Sequence, residues 1–257
     1  MNALQFRFET GAATHEGCVR TLNEDRYLAQ PESGVWLVAD GMGGHWGGDY
    51  AAMSIVEHVG SVGRAASAPD LQARFEDRIA RANGAIQEQS ARNDGVTIGA
   101  TVAALLVHEA HFACLWAGDS RVYLMRDGRL AQVSRDHTEV QELLDSGAIT
   151  AEQAETWPRR NVITRAVGVH DHVRLDQVVG ELRDRDVFLL CSDGLTGHLE
   201  DAEIRDTLAG RGPQAACDRL VEMTLERGAT DNVTIVVVRC AGKTLVNGVW
   251  NAARVGG

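Results

Sequence analysis

The chain has 257 residues, and with 44% of them hydrophobic it can bury the core of one large domain or two small ones. Its formal net charge is −11, from 25 basic and 36 acidic residues. This balance argues against sequence-independent binding to nucleic acid or to an anionic membrane, because both partners require a basic surface.

Apolar or alternating runs along the chain predict β-strands. In chain order they are Leu4–Ala13, Val35–Ala39, Thr101–Val107, His111–Trp116, Val122–Met125, Val187–Cys191 and Val233–Arg239. Asp127-Gly128, between two short runs in LMRDGRLAQV, predicts a hairpin. Helical patterns cover Gly48–Val62, Asp70–Arg92, Thr138–Ser146, Glu200–Ala209 and Gln214–Arg227. Because the strands cluster rather than alternate with helices, we predict an α+β fold with one antiparallel sheet or two such sheets packed together.

The sequence carries no pattern typical of export or membrane insertion. No apolar run approaches the ~20 residues of a membrane span, and the N-terminal MNALQFRFET lacks the apolar core of a signal peptide. The five cysteines include no C-x-x-C pair, which favours reduced, buried thiols. We therefore expect a cytoplasmic protein.

Acidic residues stand at the ends of the predicted buried strands, and four of these places carry a glycine within three residues of the acid. The acids are Glu24, Asp25, Asp40, Asp119, Asp193 and Asp231. A single Asp-Gly pair is a turn signal, and Asp127-Gly128 is explained that way. The same explanation does not account for five such places, because a carboxylate at the end of a buried strand is costly unless it is paired or coordinated. The nearby Arg20, Arg26 and Arg121 are too few to pair with all of them.

A shared site of acidic oxygens predicts a hard cation, because Mg²⁺ and Mn²⁺ favour carboxylate, carbonyl and water ligands. The absence of clustered His and Cys argues against zinc. Several acids around one pocket indicate two metals ~3.5–4 Å apart, as in phosphatases and nucleases. The glycines of DGMGGHWGGD would let a backbone carbonyl, that of Gly41, approach such a metal.

Other phosphate chemistries lack their sequence patterns. The AGKT sequence at 241–244 does not complete a Walker loop, because Val237 stands where the first glycine is required. No cysteine is followed six residues later by arginine, and no G-x-S-x-G motif occurs. The lone lysine, Lys243, does not fit a kinase. Metal-assisted hydrolysis is the reaction class that remains.

The chain resembles the metal-dependent Ser/Thr protein phosphatases of the PPM, or type 2C, family, and DGMGGH is similar to its bacterial branch. The resemblance covers roughly residues 6–240, with motifs in family order. They are VRTLNED at 19–25, ADGMGGH at 39–45, GAT at 99–101, AGDSR at 117–121, DH at 136–137, ITRAVG at 163–168, SDGL at 192–195 and GATDNVT at 228–234. Each motif alone is weak, whereas all of them in order form a highly specific pattern.

The resemblance implies an α-β-β-α sandwich, in which two packed antiparallel β-sheets are flanked by helical layers. It implies a catalytic domain over residues 1–240 with a mobile flap at about 136–165, and leaves 241–257 as a short C-terminal tail. Trp157 stands in this flap where relatives often have His, and we expect it to pack the flap onto the body rather than to face substrate.

The resemblance also implies a set of metal ligands. They are Glu24, Asp25, Asp40, Gly41, Asp119, Asp193 and Asp231. Asp40 would bridge two Mn²⁺ or Mg²⁺ ions, and Asp193 and Asp231 would complete the first site. The Gly41 carbonyl would bind the second metal, with the two acids of the NED sequence acting directly or through waters. Asp119 would share a third metal with Asp193.

Further roles are implied at the substrate side of the site. Arg20 would bind the substrate phosphate with its bidentate guanidinium, and Asn232 would orient a ligand or a metal-bound water. Met42 stands where many eukaryotic members have the His proposed as general acid. A metal-bound water is then the first candidate for that acid, followed by His45 and His137. For both histidines a structural role is the favoured interpretation.

We interpret the sequence as a phosphatase that hydrolyses phosphoserine and phosphothreonine on proteins with a metal-activated water. Its expected partners are phosphorylated proteins, a Ser/Thr kinase and the targets of that kinase in signalling, and we expect a monomer. One alternative is a catalytically silent module of the same fold that binds phosphoproteins, which the complete set of acids disfavours. Another is a two-metal nuclease, which the acidic composition disfavours.

Overall fold

The computed structural model describes residues 4–43 and 47–244, which form strands β1–β11 and helices α1–α7. The strands are β1 Leu4–His15, β2 Asp25–Gln30, β3 Val35–Met42, β4 Gly99–Ala100, β5 Val102–His108, β6 His111–Ala117, β7 Arg121–Arg126, β8 Arg129–Gln132, β9 Asp176–Glu181, β10 Val187–Cys191 and β11 Val233–Thr244. The helices are α1 Gly47–Gly60, α2 Ala68–Arg92, α3 Glu139–Asp145, α4 Ala151–Glu155, α5 Asp193–Thr196, α6 Asp201–Ala209 and α7 Pro213–Glu226. None of the helices in these two ranges is both long and apolar enough to cross a bilayer.

The strands form two sheets, and their pairings are antiparallel. One sheet has the order β1-β11-β10-β7-β8, and the other has the order β2-β3-β5-β6-β9 with β4 beside β3. The longest pairing joins β1 to β11, from Leu4 opposite Thr244 to His15 opposite Val233. The β6–β7 connection crosses from one sheet to the other and carries Asp119.

Alternate residues along the central strands separate the core into layers. Trp36 of β3 and Phe188 of β10 point between the two sheets, where Phe188 meets Phe112 edge-on at 5.0 Å between ring centroids. Leu37 of β3 packs in the layer that contains α1 and α2, whereas Leu189 of β10 packs in the layer that contains α6 and α7. Period-two burial on both faces of both sheets therefore confirms the predicted α-β-β-α sandwich.

The structure corrects several predicted boundaries. β11 continues to Thr244, beyond the strand end predicted at Arg239 and into the first residues of the predicted tail at 241–257, of which residues 245–257 lie outside the described part. The predictions lacked β2 and β9, which are edge strands with few fully buried positions. The Asp127-Gly128 hairpin is confirmed between β7 and β8, with φ of 52° and 75° at these two residues.

The predicted flap contains the short helices α3 and α4 and is closed where Thr138 pairs with Ile163. We call this pair the flap base. Trp157 is half-buried, and its indole N–H donates to Glu139 Oε1 at 3.3 Å. This hydrogen bond is internal to the flap, and packing of the Trp157 ring against the body stays a prediction.

Candidate active site

Five aspartates from both sheets meet at one edge of the sandwich, and we call them the acidic cluster. Asp25 opens β2 and faces Asp40 of β3 across the antiparallel register. Asp193 directly follows β10 and Ser192, Asp119 lies between β6 and β7, and Asp231 lies two residues before β11. Because β10 pairs with both β7 and β11, these last three come together. The charges of the other four all act on Asp40, so the five form one cluster.

Ser192 ties the two sheets together beneath the acidic cluster. Its hydroxyl donates to Asp25 Oδ2 at 2.7 Å and accepts the N–H of Thr234 at 3.0 Å. Ser192 is fully buried at the end of β10, whereas Asp25 belongs to the opposite sheet. The hydrogen bond therefore fixes the position of an acid from one sheet relative to the strands of the other.

Thr101, between β4 and β5, holds a second part of the acidic cluster. Its Oγ1 accepts the N–H of Asp40 at 3.1 Å, and its own N–H donates to the carbonyl of Asp40 at 2.8 Å. The same Oγ1 lies 2.6 Å from the hydroxyl of Ser120, next to Asp119. Thr101 and Ser120 are both about 1% exposed, so these contacts are sheltered from water. The sequence analysis did not single out Thr101 or Ser192, although both lie within the GAT and SDGL motifs.

The electrostatics of the acidic cluster favour cation binding. Burial is the main cause that raises the pKa of Asp25 to about 7 and that of Asp119 to about 7, and neighbouring carboxylates add to it. Burial and then the charge of Asp25 raise the pKa of Asp40 well above its usual value. Burial also raises the pKa values of Asp193 and Glu24. Each of these shifts disfavours the charged carboxylate, and a bound cation would balance that charge.

The donor set fits Mg²⁺ or Mn²⁺. Asp25 Oδ1 and Asp119 Oδ1 are buried without a hydrogen-bond partner, and an unpaired buried carboxylate oxygen is costly unless a cation or donor meets it. The groups available are oxygens, which are the ligands that hard cations prefer. Across residues 4–43 and 47–244, however, no three His, Cys, Asp or Glu side chains stand in the arrangement of a complete metal site. One of the predicted ligands, Asp231, is engaged by another residue, since its Oδ2 accepts from Arg20 Nη2 at 2.8 Å.

Arg20 and Asp231 form an exposed ion pair at the mouth of the site. Their side chains are 56% and 41% exposed, so the pair is screened by water and contributes little to stability. The side-chain hydrogen bond to Asp231 raises the pKa of Arg20, which stays charged. Arg20, the predicted phosphate-binding residue, thus lies beside the acidic cluster, and its guanidinium binds Asp231 of that cluster.

Asn232 binds the loop that carries Arg20 and Glu24. Its Oδ1 accepts the N–H of Glu24 at 2.8 Å, and its Nδ2 donates to the carbonyls of Glu16 and Leu22, each at 2.9 Å. Both the amide oxygen and the amide nitrogen of Asn232 are therefore hydrogen-bonded to backbone groups. Asn232 therefore positions the loop that carries Glu24, one of the predicted metal ligands, and its orientation of a metal-bound water stays a prediction.

Two glycines let the chain close around Glu24. A Cβ on Gly41 would lie 2.1 Å from the carbonyl oxygen of Gly48 and 2.7 Å from that of Glu24. Gly41 N–H donates to the Glu24 carbonyl at 3.2 Å, and Gly48 N–H donates to Glu24 Oε1 at 3.1 Å. Bare backbone is required here because three segments meet within hydrogen-bonding distance. His45, between these glycines, lies outside the described residues.

We expect Gly48→Ala to destabilise the protein by about 1–3 kcal/mol, the usual cost of overpacking. Its Cβ would lie 2.6 Å from Gly41 C and from Glu24 Oε1, and the backbone atom cannot move freely. Urea denaturation measures the change in the free energy of unfolding. Gly60→Ala in the same helix is the matched control, because its nearest contact would be 3.6 Å from Gln30 Nε2. Equal stability of the two variants would contradict the steric argument.

Comparison with known proteins places these features in one family. The family profile for Protein phosphatase 2C matches residues 19–232. The chain is 36% identical over 227 residues to the Mycobacterium tuberculosis serine/threonine protein phosphatase PstP, spanning 88% of this chain but only 44% of PstP. The solved structure of PppA, a regulatory component of the type VI secretion system in Pseudomonas aeruginosa, superposes with a TM-score of 0.86 at 40% identity, over 92% of this chain and 99% of that one. The catalytic domain of PstP with two manganese ions superposes with a TM-score of 0.82 at 34% identity, over 93% and 99% of the two chains. With its motifs in order and its sandwich matched over nearly their full lengths, this chain belongs to the Protein phosphatase 2C family.

Proposed function

We propose that this chain is a metal-dependent phosphatase that removes phosphate from phosphoserine and phosphothreonine on proteins and so reverses a Ser/Thr kinase. The observation that carries this proposal is the acidic cluster, with unpartnered buried oxygens on Asp25 and Asp119, beside the exposed guanidinium of Arg20. Cation-binding oxygens next to a phosphate-binding arginine suit hydrolysis of a phosphate ester. The activity named for PstP supports the same reaction.

The residues divide into cation-holding and substrate-holding groups. The cation-holding set comprises Glu24, Asp25, Asp40, the carbonyl of Gly41, Asp193 and Asp231, with Asp119 for a third metal. When bound, Mn²⁺ or Mg²⁺ supplies a nucleophile at neutral pH and neutralises charge on the transferred phosphoryl group. The guanidinium of Arg20 leaves Asp231 and binds two oxygens of the substrate phosphate instead. Ser192 and Thr101 hold the carboxylates in place meanwhile.

The raised pKa values predict proton release when a cation binds. Asp25 and Asp119 each have a pKa raised to about 7, so near neutral pH they carry a fraction of a proton. A cation displaces that proton, and metal uptake therefore tightens as the pH rises through 7. Hydrolysis by a metal-activated water does not require a cysteine nucleophile. Burial raises the pKa values of the Cys191 and Cys217 thiols to about 12, so these thiols stay protonated.

Substrate partners and location follow from the same proposal. A Ser/Thr kinase and its targets are the natural source of phosphorylated proteins, and we propose that the chain acts on them as a monomer in the cytoplasm. The five cysteines are unpaired and four of them are buried, which suits a reducing compartment.

The proposal is tested with metal-stripped protein and p-nitrophenyl phosphate, titrated with Mn²⁺ and then with EDTA. We expect turnover that requires metal, ends with EDTA and is lost in Asp193→Asn. Asp127→Asn is the control, because Asp127 lies in the β7–β8 hairpin away from the site. Phosphoserine and phosphothreonine peptides would follow. Absence of turnover at every Mn²⁺ concentration, in well-folded protein, would overturn the enzyme and favour the silent phosphoprotein-binding module.

A further inference from the structure

Four consecutive residues after β8, Ser134 to His137, bind the turn that carries Asp119 and the strands beside it. We call them the strap. Each strap residue makes a hydrogen bond to a different residue of β6, β7 or the turn between them. The bonds are Val122 N–H to Ser134 Oγ at 2.9 Å, Trp116 Nε1–H to the Arg135 carbonyl at 2.8 Å, Arg121 Nη2 to Asp136 Oδ2 at 2.7 Å and Gly118 N–H to His137 Nδ1 at 3.2 Å. The strap therefore fixes the conformation of the turn between β6 and β7. In the chain, the strap continues directly into the flap.

The His137 ring makes a different contact at each nitrogen. Nδ1 accepts the Gly118 N–H, so it carries no proton, and the proton lies on Nε2. Nε2 then donates to Asp176 Oδ2 at 3.1 Å, while the ring stacks on Trp116 with centroids 6.2 Å apart. Burial lowers the pKa of His137, which is 6% exposed, so the ring stays neutral at neutral pH. With both nitrogens engaged, His137 is unsuited to the general-acid role considered from sequence.

On one side, His137 contacts the flap base. Its carbonyl accepts the N–H of Thr164 at 2.8 Å, and Thr138 follows it directly. Arg165 Nη1 donates to Asp176 Oδ1 at 2.9 Å and lies 3.4 Å from His137 Nε2. Asp176 of β9 thus accepts a hydrogen bond from the His137 imidazole on one oxygen and from the Arg165 guanidinium on the other. Residues at both ends of the flap are therefore hydrogen-bonded to this one carboxylate.

On the other side, His137 contacts the Asp119 turn. Its N–H donates to the Gly118 carbonyl at 2.9 Å, so both polar groups of the Gly118 backbone bind His137. Gly118 has φ of +110° and packs on Thr101, where a Cβ would lie 2.6 Å from the threonine Cβ. Both this conformation and this close packing require glycine. The next residue, Asp119, has a buried oxygen without a hydrogen-bond partner.

We propose that His137 is a positioning residue that couples the flap to Asp119, holding the Asp119 turn through Nδ1 and anchoring the flap to Asp176 of β9 through Nε2. This inference rests on the proposed function for its effect on catalysis, but not for its effect on the two segments. Because the two nitrogens serve different segments, their contributions can be separated by amide substitutions. The predicted consequence is that cation binding at Asp119 and substrate binding under the flap depend on opposite sides of one imidazole.

The test compares His137→Asn with His137→Gln. The Asn oxygen can occupy the place of Nδ1 and accept from Gly118 N–H, but its side chain is too short to reach Asp176. The longer Gln amide can donate to Asp176, but it leaves Gly118 N–H without its acceptor. The readouts are hydrogen exchange in metal-free protein, over the flap and over the Asp119 turn, and the kinetics of a phosphopeptide against Mn²⁺ concentration.

We expect His137→Asn to speed exchange in the flap and raise KM severalfold, with kcat and the Mn²⁺ requirement within about twofold of wild type. We expect His137→Gln to speed exchange in the turn and raise the Mn²⁺ concentration for half-maximal activity by about tenfold, the usual effect of losing a residue that orients a metal ligand. Asp176→Ala, at a partly exposed position, removes the flap contact alone and should reproduce the Asn variant.

The outcomes separate the inference from the proposed function. Identical behaviour of the Asn and Gln variants, or exchange in both segments equal to wild type, would overturn the coupling through His137. Wild-type protein without metal-dependent turnover would overturn the phosphatase, while the exchange data on metal-free protein would still decide the coupling. If both His137 variants unfold, Asp176→Ala decides, since unchanged flap exchange there would contradict the proposal.

Discussion

Asp40→Asn is expected to lower kcat/KM for p-nitrophenyl phosphate by about 10³-fold or more, which corresponds to about 4 kcal/mol of transition-state stabilisation. Asp40 is the residue on which the charges of the other four cluster acids act, so its carboxylate is the common point of the site. Asn keeps the shape of the side chain, and the main-chain hydrogen bonds to Thr101 are unaffected. The loss therefore reports the negative charge rather than the fold.

Asp127→Asn serves as the control for this change, because it alters the charge by the same amount at the hairpin. Asn also tolerates the left-handed conformation of residue 127, which has φ of 52°. Mn²⁺ binding, followed by calorimetry, should weaken in Asp40→Asn and stay unchanged in Asp127→Asn. Activity of Asp40→Asn within tenfold of wild type would exclude Asp40 as the common metal ligand.

The second large effect is expected in the opposite direction, on stability. In metal-free protein, Asp25→Asn should raise the free energy of unfolding at pH 8 by about 2–4 kcal/mol. Burial raises the pKa of Asp25 from 3.8 to about 7 in the folded protein. The folded state therefore holds the proton of Asp25 more tightly than the unfolded state. The contribution of Asp25 to stability is most favourable below pH 4, falls between pH 4 and 7 and stays low above pH 7. At 1.36 kcal/mol for each pKa unit, the upper bound is about 4 kcal/mol.

Denaturation by urea in EDTA, at pH 5 and pH 8, measures this difference. The side-chain amide introduced by Asp25→Asn can still accept the Ser192 hydroxyl. The stability of this variant should therefore fall less between pH 5 and pH 8 than that of wild type, and the remaining fall comes from the other buried acids. Asp70→Asn is the contrasting control, since the hydrogen bond from Arg74 lowers the pKa of Asp70 and its neutralisation should not stabilise. Saturating Mn²⁺ should reverse the order of wild type and Asp25→Asn. A stability of Asp25→Asn below wild type at pH 8 in EDTA would contradict the argument.

The central strands were predictable from sequence and the edge strands were not. β3 and β10 are buried on both faces, so VWLVAD and VFLLC stand out as apolar runs bounded by glycine and aspartate. β2 and β9 lie at the two edges of one sheet, and DRYLAQ and DQVVGE mix polar with apolar residues because few of their positions are fully buried. Their strand conformation follows from pairing with β3 and β6, which no local pattern encodes.

Four aspartates of the acidic cluster were predictable because each lies beside the end of a buried strand, whereas Asp25, with Glu24, was indicated by the VRTLNED motif. The hydrogen bonds that orient them were not, because they join distant parts of the chain. Asn232 binds Glu24 across 208 positions, and Ser192 binds Asp25 across 167. The Arg20–Asp231 ion pair spans 211 positions. Motifs indicate which residue types assemble, but the contacts depend on the packing of the two sheets.

The pairing of β1 with β11 has a consequence for synthesis on the ribosome. Residues 4–15 are synthesised more than 200 residues before their neighbour in the sheet, residues 233–244. Until then β1 has an open pairing edge, and β10 lacks one of its two neighbours. A nascent chain in this condition is a substrate for chaperones rather than a working enzyme. Translation that terminates before codon 233 leaves two strands unpaired at once, so truncated products should be degraded instead of acting as partial phosphatases.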